Sequence, residues 1–423
     1  MTTERLDLAR YADEITGQAR RAAAELSLMT SGAKDAALGA AARAIRDSAA
    51  ALKAENEKDL VAGRTAGLST ALLDRLELTD RRIEDMAAGL ETVAALRDPV
   101  GEVITGWRLP NGLRIQKVRV PIGVILMIYE SRPNVTADAA ALTLKSGNAC
   151  ILRGGKEAVH SNLAIARILQ KAIAEEGLPA AAINIVETTD RALVGNLLGM
   201  TGRIDLVIPR GGKALIARVA SESTIPVLKH YEGICHTYVD EGADLEMAEQ
   251  ICLNAKVQRP GVCNAMETML VHEKEAAAFL PRICRSMAAA GVELRGDEAA
   301  RTICPDMKEA AEEDWSTEYL DLILSIKVVK SVEEAIGHIG TYGSGHSDAI
   351  VSRSMESIEK FTEGVDSSAV FVNASTRFND GGQFGFGAEI GISTDKLHAR
   401  GPVALEELTS YKYLVYGSGQ LRE

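Results

Sequence analysis

This chain of 423 residues lacks paired cysteines, membrane-length apolar runs and any excess of positive charge. Its six cysteines, at 150, 235, 252, 263, 284 and 304, form no CxxC pair and keep no regular spacing. That pattern argues against a zinc site or a disulfide framework and for reduced thiols, and no bound metal is expected. No apolar stretch approaches the length that spans a bilayer. The opening Met1-Thr-Thr-Glu-Arg-Leu-Asp7 has no basic-then-apolar leader pattern. The expectation is a cytoplasmic protein with no membrane partner. Lysine plus arginine against aspartate plus glutamate gives 47 − 59 = −12, which opposes nucleic acid or an anionic surface as partner. A charged fraction of 25% and a hydrophobic fraction of 46% are ordinary for a globular protein, and the length allows two or three domains.

What is present begins with Asn254-Ala-Lys-Val-Gln-Arg-Pro-Gly-Val-Cys-Asn-Ala-Met-Glu-Thr-Met-Leu-Val-His272. A helical run ends near Lys256, a turn follows at Gln258 to Gly261, and an apolar strand covers Met266 to Val271. Cys263 therefore lies on a short loop between helix and strand, with Lys256 and Arg259 near in sequence. Cationic neighbours favour the thiolate, which is the nucleophilic form. The plainer reading is one more small buried apolar residue.

Residues 4 to 98 read as helices, broken at Thr30-Ser-Gly32, Ala66-Gly-Leu68 and Leu78-Thr-Asp80, with Thr79-Asp80 as an N-cap. No heptad register persists, so the helices are expected to cover a sheet. From Trp107 to Val120, apolar and polar residues alternate around Asn111-Gly112, a strong hairpin signal. Residues 120 to 230 then alternate strands (120–129, 149–152, 183–186, 204–208) with helices (137–145, 161–176, 191–200, 213–221). Such alternation predicts a mostly parallel sheet with ligands at the strands' C-terminal ends. Two of those loops, Arg153-Gly-Gly-Lys156 and Pro209-Arg-Gly-Gly-Lys213, combine glycines with cations ahead of a helix. Glycines admit a phosphate close to the backbone and the helix N-terminus favours its charge. Neither is GxGxxG; the alternative is two structural turns with solvated charges.

After Cys263 the alternation continues: helices at 276–290 and 331–339, strands at 292–294, 323–329, 349–351 and 369–372. This predicts a second α/β domain carrying the thiol. Trp315 is either packing or a ligand wall. Asn379 to Ala388 reads as a flexible loop by the site's mouth or a Gly-rich linker. The tail strand, Ser410 to Tyr416, is expected to pair with the Asn111-Gly112 hairpin of a neighbouring subunit, closing an open edge.

Six motifs carry a resemblance. They are Ile128-Tyr-Glu-Ser-Arg-Pro-Asn134, Lys145-Ser-Gly-Asn148 with Leu152-Arg-Gly-Gly-Lys156, Lys229-His-Tyr-Glu-Gly-Ile-Cys-His-Thr-Tyr-Val-Asp240, Gln258-Arg-Pro-Gly-Val-Cys263, Asp314-Trp-Ser-Thr-Glu-Tyr-Leu-Asp321 and Asn373-Ala-Ser-Thr-Arg-Phe378. The chain resembles the gamma-glutamyl phosphate reductases (glutamate-5-semialdehyde dehydrogenases), a divergent branch of the aldehyde dehydrogenase superfamily. That resemblance implies an α/β fold of two parallel-sheet domains with a small oligomerisation hairpin and tail. It places the cofactor domain at 1–100 and 119–230, the catalytic domain at 231–385, and the oligomerisation elements at 101–118 and 386–423.

The resemblance also implies the chemistry: NADPH-dependent reduction of L-glutamyl 5-phosphate through a thioester on Cys263, in the second step of proline biosynthesis. Ser131 or Asn134 would supply the oxyanion donor, and Arg132, Arg259 and Arg377 would hold the substrate. The cofactor would meet Arg153, Gly154, Gly155, Lys156, Arg210, Gly211, Gly212 and Glu318, the last at the nicotinamide ribose. NADP is favoured over NAD by the Arg and Lys of the two glycine loops. A homo-oligomer and functional association with glutamate 5-kinase are expected. Where hydrolytic relatives carry the water-activating glutamate of Glu-Leu-Gly-Gly, this chain has His230-Tyr-Glu-Gly233, which suits a thioester passed to phosphate and leaves His230 catalytic or structural. The rivals are a hydrolytic or CoA-acylating aldehyde dehydrogenase and a non-catalytic nucleotide-binding scaffold.

Overall fold

A computed structural model describes residues 7–422. The N-terminal third is helical: α1 (Leu8–Leu26), α2 (Ser31–Asp47), α3 (Ala49–Thr65), α4 (Thr70–Leu76) and α5 (Asp80–Ala95). The hydroxyls of Thr30, Ser69 and Thr79 accept the amide hydrogens of Ala33, Leu72 and Arg82, capping α2, α4 and α5. The expected breaks all appear, and one more falls at Ser48, which makes no side-chain cap.

Next come the hairpin strands β1 (Val103–Arg108) and β2 (Arg114–Pro121), then β3 (Val124–Tyr129), α6 (Asn134–Lys145), β4 (Ala149–Arg153), α7 (Val159–Glu175), β5 (Ile183–Ile185), α8 (Ala192–Leu198), β6 (Leu206–Arg210) and α9 (Lys213–Glu222). The single strand expected over 120–129 is therefore two. The break is at Gly123, whose φ of +131° and crowding against Asp205 suit only glycine. Strands β3 to β6 form a parallel sheet in the order β5-β4-β3-β6. The chain steps outward from β3 and returns to its other side with β6, so the C-terminal ends of β3 and β6 flank a crevice of the kind that takes ligands. One hydrophobic core joins this sheet to α1, α2, α5, α6 and α7. Two buried lysines pin the helical cover to it: Lys34 donates to the carbonyl of Lys145 at 3.0 Å, and Lys145 to that of Ala94 at 2.8 Å.

The second sheet is built from β7 (Cys235–Val239), α10 (Leu245–Val257), β8 (Met266–His272), α11 (Glu273–Ala289), β9 (Glu293–Gly296), α12 (Glu298–Ile303), β10 (Lys308–Glu309), β11 (Ile323–Val329), α13 (Val332–Tyr342), β12 (Ser347–Val351), α14 (Met355–Gly364) and β13 (Ala369–Val372). Its seven strands run parallel in the order β10-β9-β11-β8-β7-β12-β13. Sequence reading missed β7, α12, β10 and α14. Trp315 is buried edge-on against His338 at 5.4 Å, as packing.

The chain then returns to the first unit. Strands β14 (Ile392–Ser393) and β15 (Gly401–Pro402) pair, and Ile390, Ala399, Val403, Leu405 and Leu408 enter the first core. Only β16 (Thr409–Tyr416) reaches the hairpin, pairing antiparallel with β2 from Thr409–Pro121 to Tyr416–Arg114. The tail thus completes the hairpin of its own chain, not a neighbour's. Six residues of loop between Pro402 and Thr409 suffice for the return, so no exchange between subunits is required. No helix among the described residues is long and apolar enough to cross a membrane.

Candidate active site

Cys263 sits on the loop between α10 and β8, within the field of Arg210 at the end of β6 in the first sheet. The loop is braced on both flanks by Arg377. Its Nε donates to Gln258 Oε1 at 2.9 Å, and its Nη1 donates to Asn264 Oδ1. Thr376 Oγ1 donates to the Asn264 carbonyl at 2.7 Å, and Asn264 Nδ2 to the Asn379 carbonyl at 2.9 Å. From the other side the backbone of Gly233 packs directly on Cys263. A Cβ at Gly233 would stand 1.8 Å from the Cys263 carbonyl oxygen.

The thiol is perturbed in the direction opposite to the sequence expectation. Burial pushes its pKa up to about 11, and the carboxylates of Glu318 and Glu389 reinforce the rise. The cation that opposes them is Arg210, at the end of β6, and neither sequence neighbour plays that part. Lys256 is buried and bound to the equally buried Glu267 at 2.5 Å. Arg259 is exposed and turned to the adjoining cleft. With Arg210 already counted against the rise, the resting residue is a thiol.

That cleft, about 620 Å³, is lined by Arg75, Arg132, Asn134, Asp138 and Arg259, among others. Loss of water lowers the Arg132 pKa, and Arg75, Arg210 and Arg259 lower it further. Cations that destabilise one another mark a place for an anion. Asn134 opens α6 and its Nδ2 donates to Asp138 Oδ2 at 3.0 Å. Ser131 turns the other way, with Oγ 3.4 Å from Glu157 Oε2 and its amide facing Gly155. The structure thus separates the two oxyanion candidates, with Asn134 on the side of the arginine cleft.

Around the crevice between β3 and β6, Gly154 and Gly155 are closely approached by their neighbours, Gly154 the more tightly. A Cβ would come within 2.1 Å of Asn162 Nδ2 at the first and 2.6 Å of Glu157 Oε2 at the second. The guanidinium of Arg153 donates to the Gly154 carbonyl at 2.9 Å. Burial lowers its pKa, and then so do Arg191 and Arg218, so three arginines share that corner. Lys156 is exposed beside them. Gly211 packs against Glu130, whose carboxylate accepts the Gly212 amide at 3.2 Å. Lys213 reaches Glu232 at 2.8 Å. Arg210, expected at the cofactor, has its guanidinium against Gly391 and acts electrostatically on the thiol. Glu318 accepts the Gly233 amide at 2.9 Å, and burial raises its pKa.

Two residues escaped sequence reading altogether. Glu389 closes the loop from Asn379 to Ala388 by accepting the Gly381 amide at 3.0 Å, and it faces the thiol. His346, just ahead of β12, is wholly buried and forms a cluster with His230 and Cys263. Neither stands in a motif, so only the fold reveals them.

A half-buried cysteine on the loop before β8, with an arginine-lined cleft on one side and a glycine-lined crevice at the end of the first sheet, is an arrangement that suits an oxidoreductase of the aldehyde dehydrogenase kind. The model of the aldehyde dehydrogenase family matches residues 5–321. Curated relatives include the gamma-glutamyl phosphate reductases of Caldanaerobacter subterraneus subsp. tengcongensis, 54% identical over 406 residues (96% of this chain, 98% of the relative), and of Moorella thermoacetica, 55% identical over 406 residues (96% and 97%). The crystal structure of gamma-glutamyl phosphate reductase from Thermotoga maritima superposes with a TM-score of 0.96 at 49% identity, covering 97% of this chain and 100% of that one. The chain belongs to the aldehyde dehydrogenase family, within the branch of the gamma-glutamyl phosphate reductases, and is an oxidoreductase. That family uses a nicotinamide cofactor.

Proposed function

We propose that the chain reduces L-glutamyl 5-phosphate to L-glutamate 5-semialdehyde and phosphate with NADPH, the second step of proline biosynthesis from glutamate. The observation that carries this reading is Cys263 braced beside a cleft of mutually destabilised arginines, fit for a substrate bearing both phosphate and carboxylate. Arg132 and Arg259 hold those anionic groups, while Arg377 acts through the thiol loop. Arg210 supports the thiolate as it forms. The sulfur attacks the acyl carbon, and the C–O bond to phosphate breaks with its electron pair leaving on phosphate. The thioester carbonyl oxygen gathers charge at each tetrahedral stage, and Asn134, held by Asp138, donates to it.

NADPH, when bound, supplies the hydride that takes the thioester to the aldehyde level. The residues fit such a cofactor: the crevice lies at the crossover of the first sheet, and Arg153, Arg191 and Arg218 gather charge suited to a 2′-phosphate. Gly154, Gly155, Lys156, Gly211 and Gly212 line its approach, and Glu318 serves the ribose beside the thiol. On this reading, residues 1–100 and 119–230 serve the cofactor and 231–385 carry the thiol. An acyl phosphate is short-lived in water, so functional association with glutamate 5-kinase and a cytoplasmic place belong to the same reading. So does a homo-oligomer, which would cover the exposed Val103, Ile104, Trp107, Tyr413 and Val415 of the three-stranded sheet.

The experiment runs the reaction backward. Glutamate 5-semialdehyde and NADP are supplied with and without inorganic phosphate, to the native enzyme and to Cys263→Ala. Reduced cofactor that accumulates only with phosphate, and not in the variant, supports the reading. Turnover without phosphate would point to a hydrolytic enzyme, and a rate that rises with coenzyme A to an acylating one.

A further inference from the structure

His230, Cys263 and His346 come from three segments far apart in sequence. They are the linker before β7, the loop before β8 and the residue preceding β12. One ligand atom from each lies within 4.8 Å of the others. The two rings meet edge to face, with centroids 5.4 Å apart. His230 Nδ1 is 2.7 Å from the carbonyl of Ile392. A carbonyl only accepts, so Nδ1 carries the hydrogen and Nε2 keeps its lone pair. On His346, Nδ1 meets Ser347 Oγ at 2.8 Å, while Nε2 is buried and has no hydrogen-bond partner. A buried nitrogen without a partner costs free energy, and such a group in a cluster of donors calls for an occupant.

We propose that His230, Cys263 and His346 form a binding site for a borderline-soft divalent cation of the zinc class, whose capture of the sulfur switches the enzyme off. Two imidazoles and one thiolate suit zinc and do not suit magnesium or calcium, which take oxygen. A metal takes each imidazole in its neutral form and the sulfur as thiolate. Only the Cys263 proton leaves, to solvent, as the metal–sulfur bond forms, and no electron is transferred. Bonds of about 2.0–2.3 Å bring tetrahedral ligands to roughly 3.5 Å from one another, so side-chain rotations must close the cluster by about 1 Å. The fourth position stays open to water. The metal is inhibitory and not a cofactor, because a sulfur bound to it cannot attack an acyl carbon. The ligation rests on side-chain geometry alone, and only its effect on turnover depends on Cys263 as nucleophile.

The test uses chelator-treated full-length enzyme without substrate. Cobalt(II) is titrated while the sulfur-to-cobalt charge-transfer band and the tetrahedral d–d bands are recorded. Zinc affinity is measured by competition with a chromophoric chelator. The expected result is one metal per chain, tight enough for micromolar zinc to block both Cys263 alkylation and turnover, reversed by chelator. Cys263→Ser should abolish the charge-transfer band. His230→Gln and His346→Gln should each weaken zinc by at least about tenfold, and Cys284→Ser, remote on α11, should change nothing. His230 is only half-buried, so that variant carries the test if His346→Gln fails to fold. Native enzyme that takes up no cobalt, or unchanged zinc affinity in folded His230→Gln, would overturn the proposal and leave a thiol merely neighboured by imidazoles. Either outcome leaves the phosphate-dependence experiment to be decided separately.

Discussion

Gly233 and Cys263 touch backbone to backbone, so closely that a methyl group on Gly233 would stand 1.8 Å from the Cys263 carbonyl oxygen. The same Gly233 amide is held by Glu318 at 2.9 Å. One residue therefore contacts both the loop of the proposed nucleophile and the carboxylate proposed for the cofactor ribose.

Gly233→Ala should displace the thiol loop by more than a bond's tolerance. A shift near 1 Å at a reacting atom costs about a hundredfold in rate. The expected outcome is kcat/KM lower by about that factor, with a melting temperature changed far less than activity. Activity within threefold of native would mean that the loop yields without cost.

Arg210 opposes the burial that raises the Cys263 pKa to about 11. Removing the charge should raise it further. For Arg210→Gln, the alkylation rate at pH 8 is expected to fall about tenfold for each added pKa unit, and the rate–pH curve should move to higher pH. Arg210→Lys should recover part of the difference. An unmoved curve in Arg210→Gln would remove the arginine from the thiol's environment.

Local signals explain how much of this was legible beforehand. Asn111-Gly112 marked its hairpin because a turn of that kind needs positive φ, and Gly112 has φ of +90°. The loop of Cys263 was legible because a helix pattern stops at Val257 and an apolar strand starts at Met266. Arg210, His346 and Glu389 reach the thiol only through the fold, from 53 residues before it to 126 after (263 − 210 and 389 − 263). No spacing rule covers such distances. The same limit applies to β16, whose alternation showed a strand but could not show that its partner was its own chain. Cationic neighbours in sequence misled for a related reason: Lys256 is committed to Glu267 inside the core.

The arginines divide by what they touch, and their kinetics should divide likewise. Arg132 lines the cleft, so Arg132→Gln should raise KM for the acyl phosphate about tenfold or more, the usual scale for a charge-assisted hydrogen bond of about 1.5–3 kcal/mol. Arg377 braces Gln258 and Asn264 on either side of Cys263. Arg377→Lys, unable to span both, should lower kcat more than it raises KM. The reverse pattern would place Arg377 on the substrate.

Asp138 gives the pH dependence. Burial raises its pKa from 3.8 to about 6, against the hydrogen bond from Asn134 that lowers it. The folded state therefore binds its proton more tightly than the unfolded chain does. Its contribution to stability is fully present below the unfolded value, and is lost as pH rises through the folded one. Asp138→Asn keeps a polar partner for Asn134 and abolishes the ionisation. The variant should gain stability on the native enzyme between about pH 4 and 6, by up to about 3 kcal/mol, and hold a constant margin above that. Chemical denaturation at pH 4.5 and pH 7.5 measures the gap. Activity should move the other way, because an amide at 138 no longer fixes which atoms of Asn134 face the developing oxyanion, and kcat is expected to fall while the fold grows more stable. A stability margin that does not widen with pH would mean that Asp138 is already ionised at low cost, with Asn134 as its full compensation.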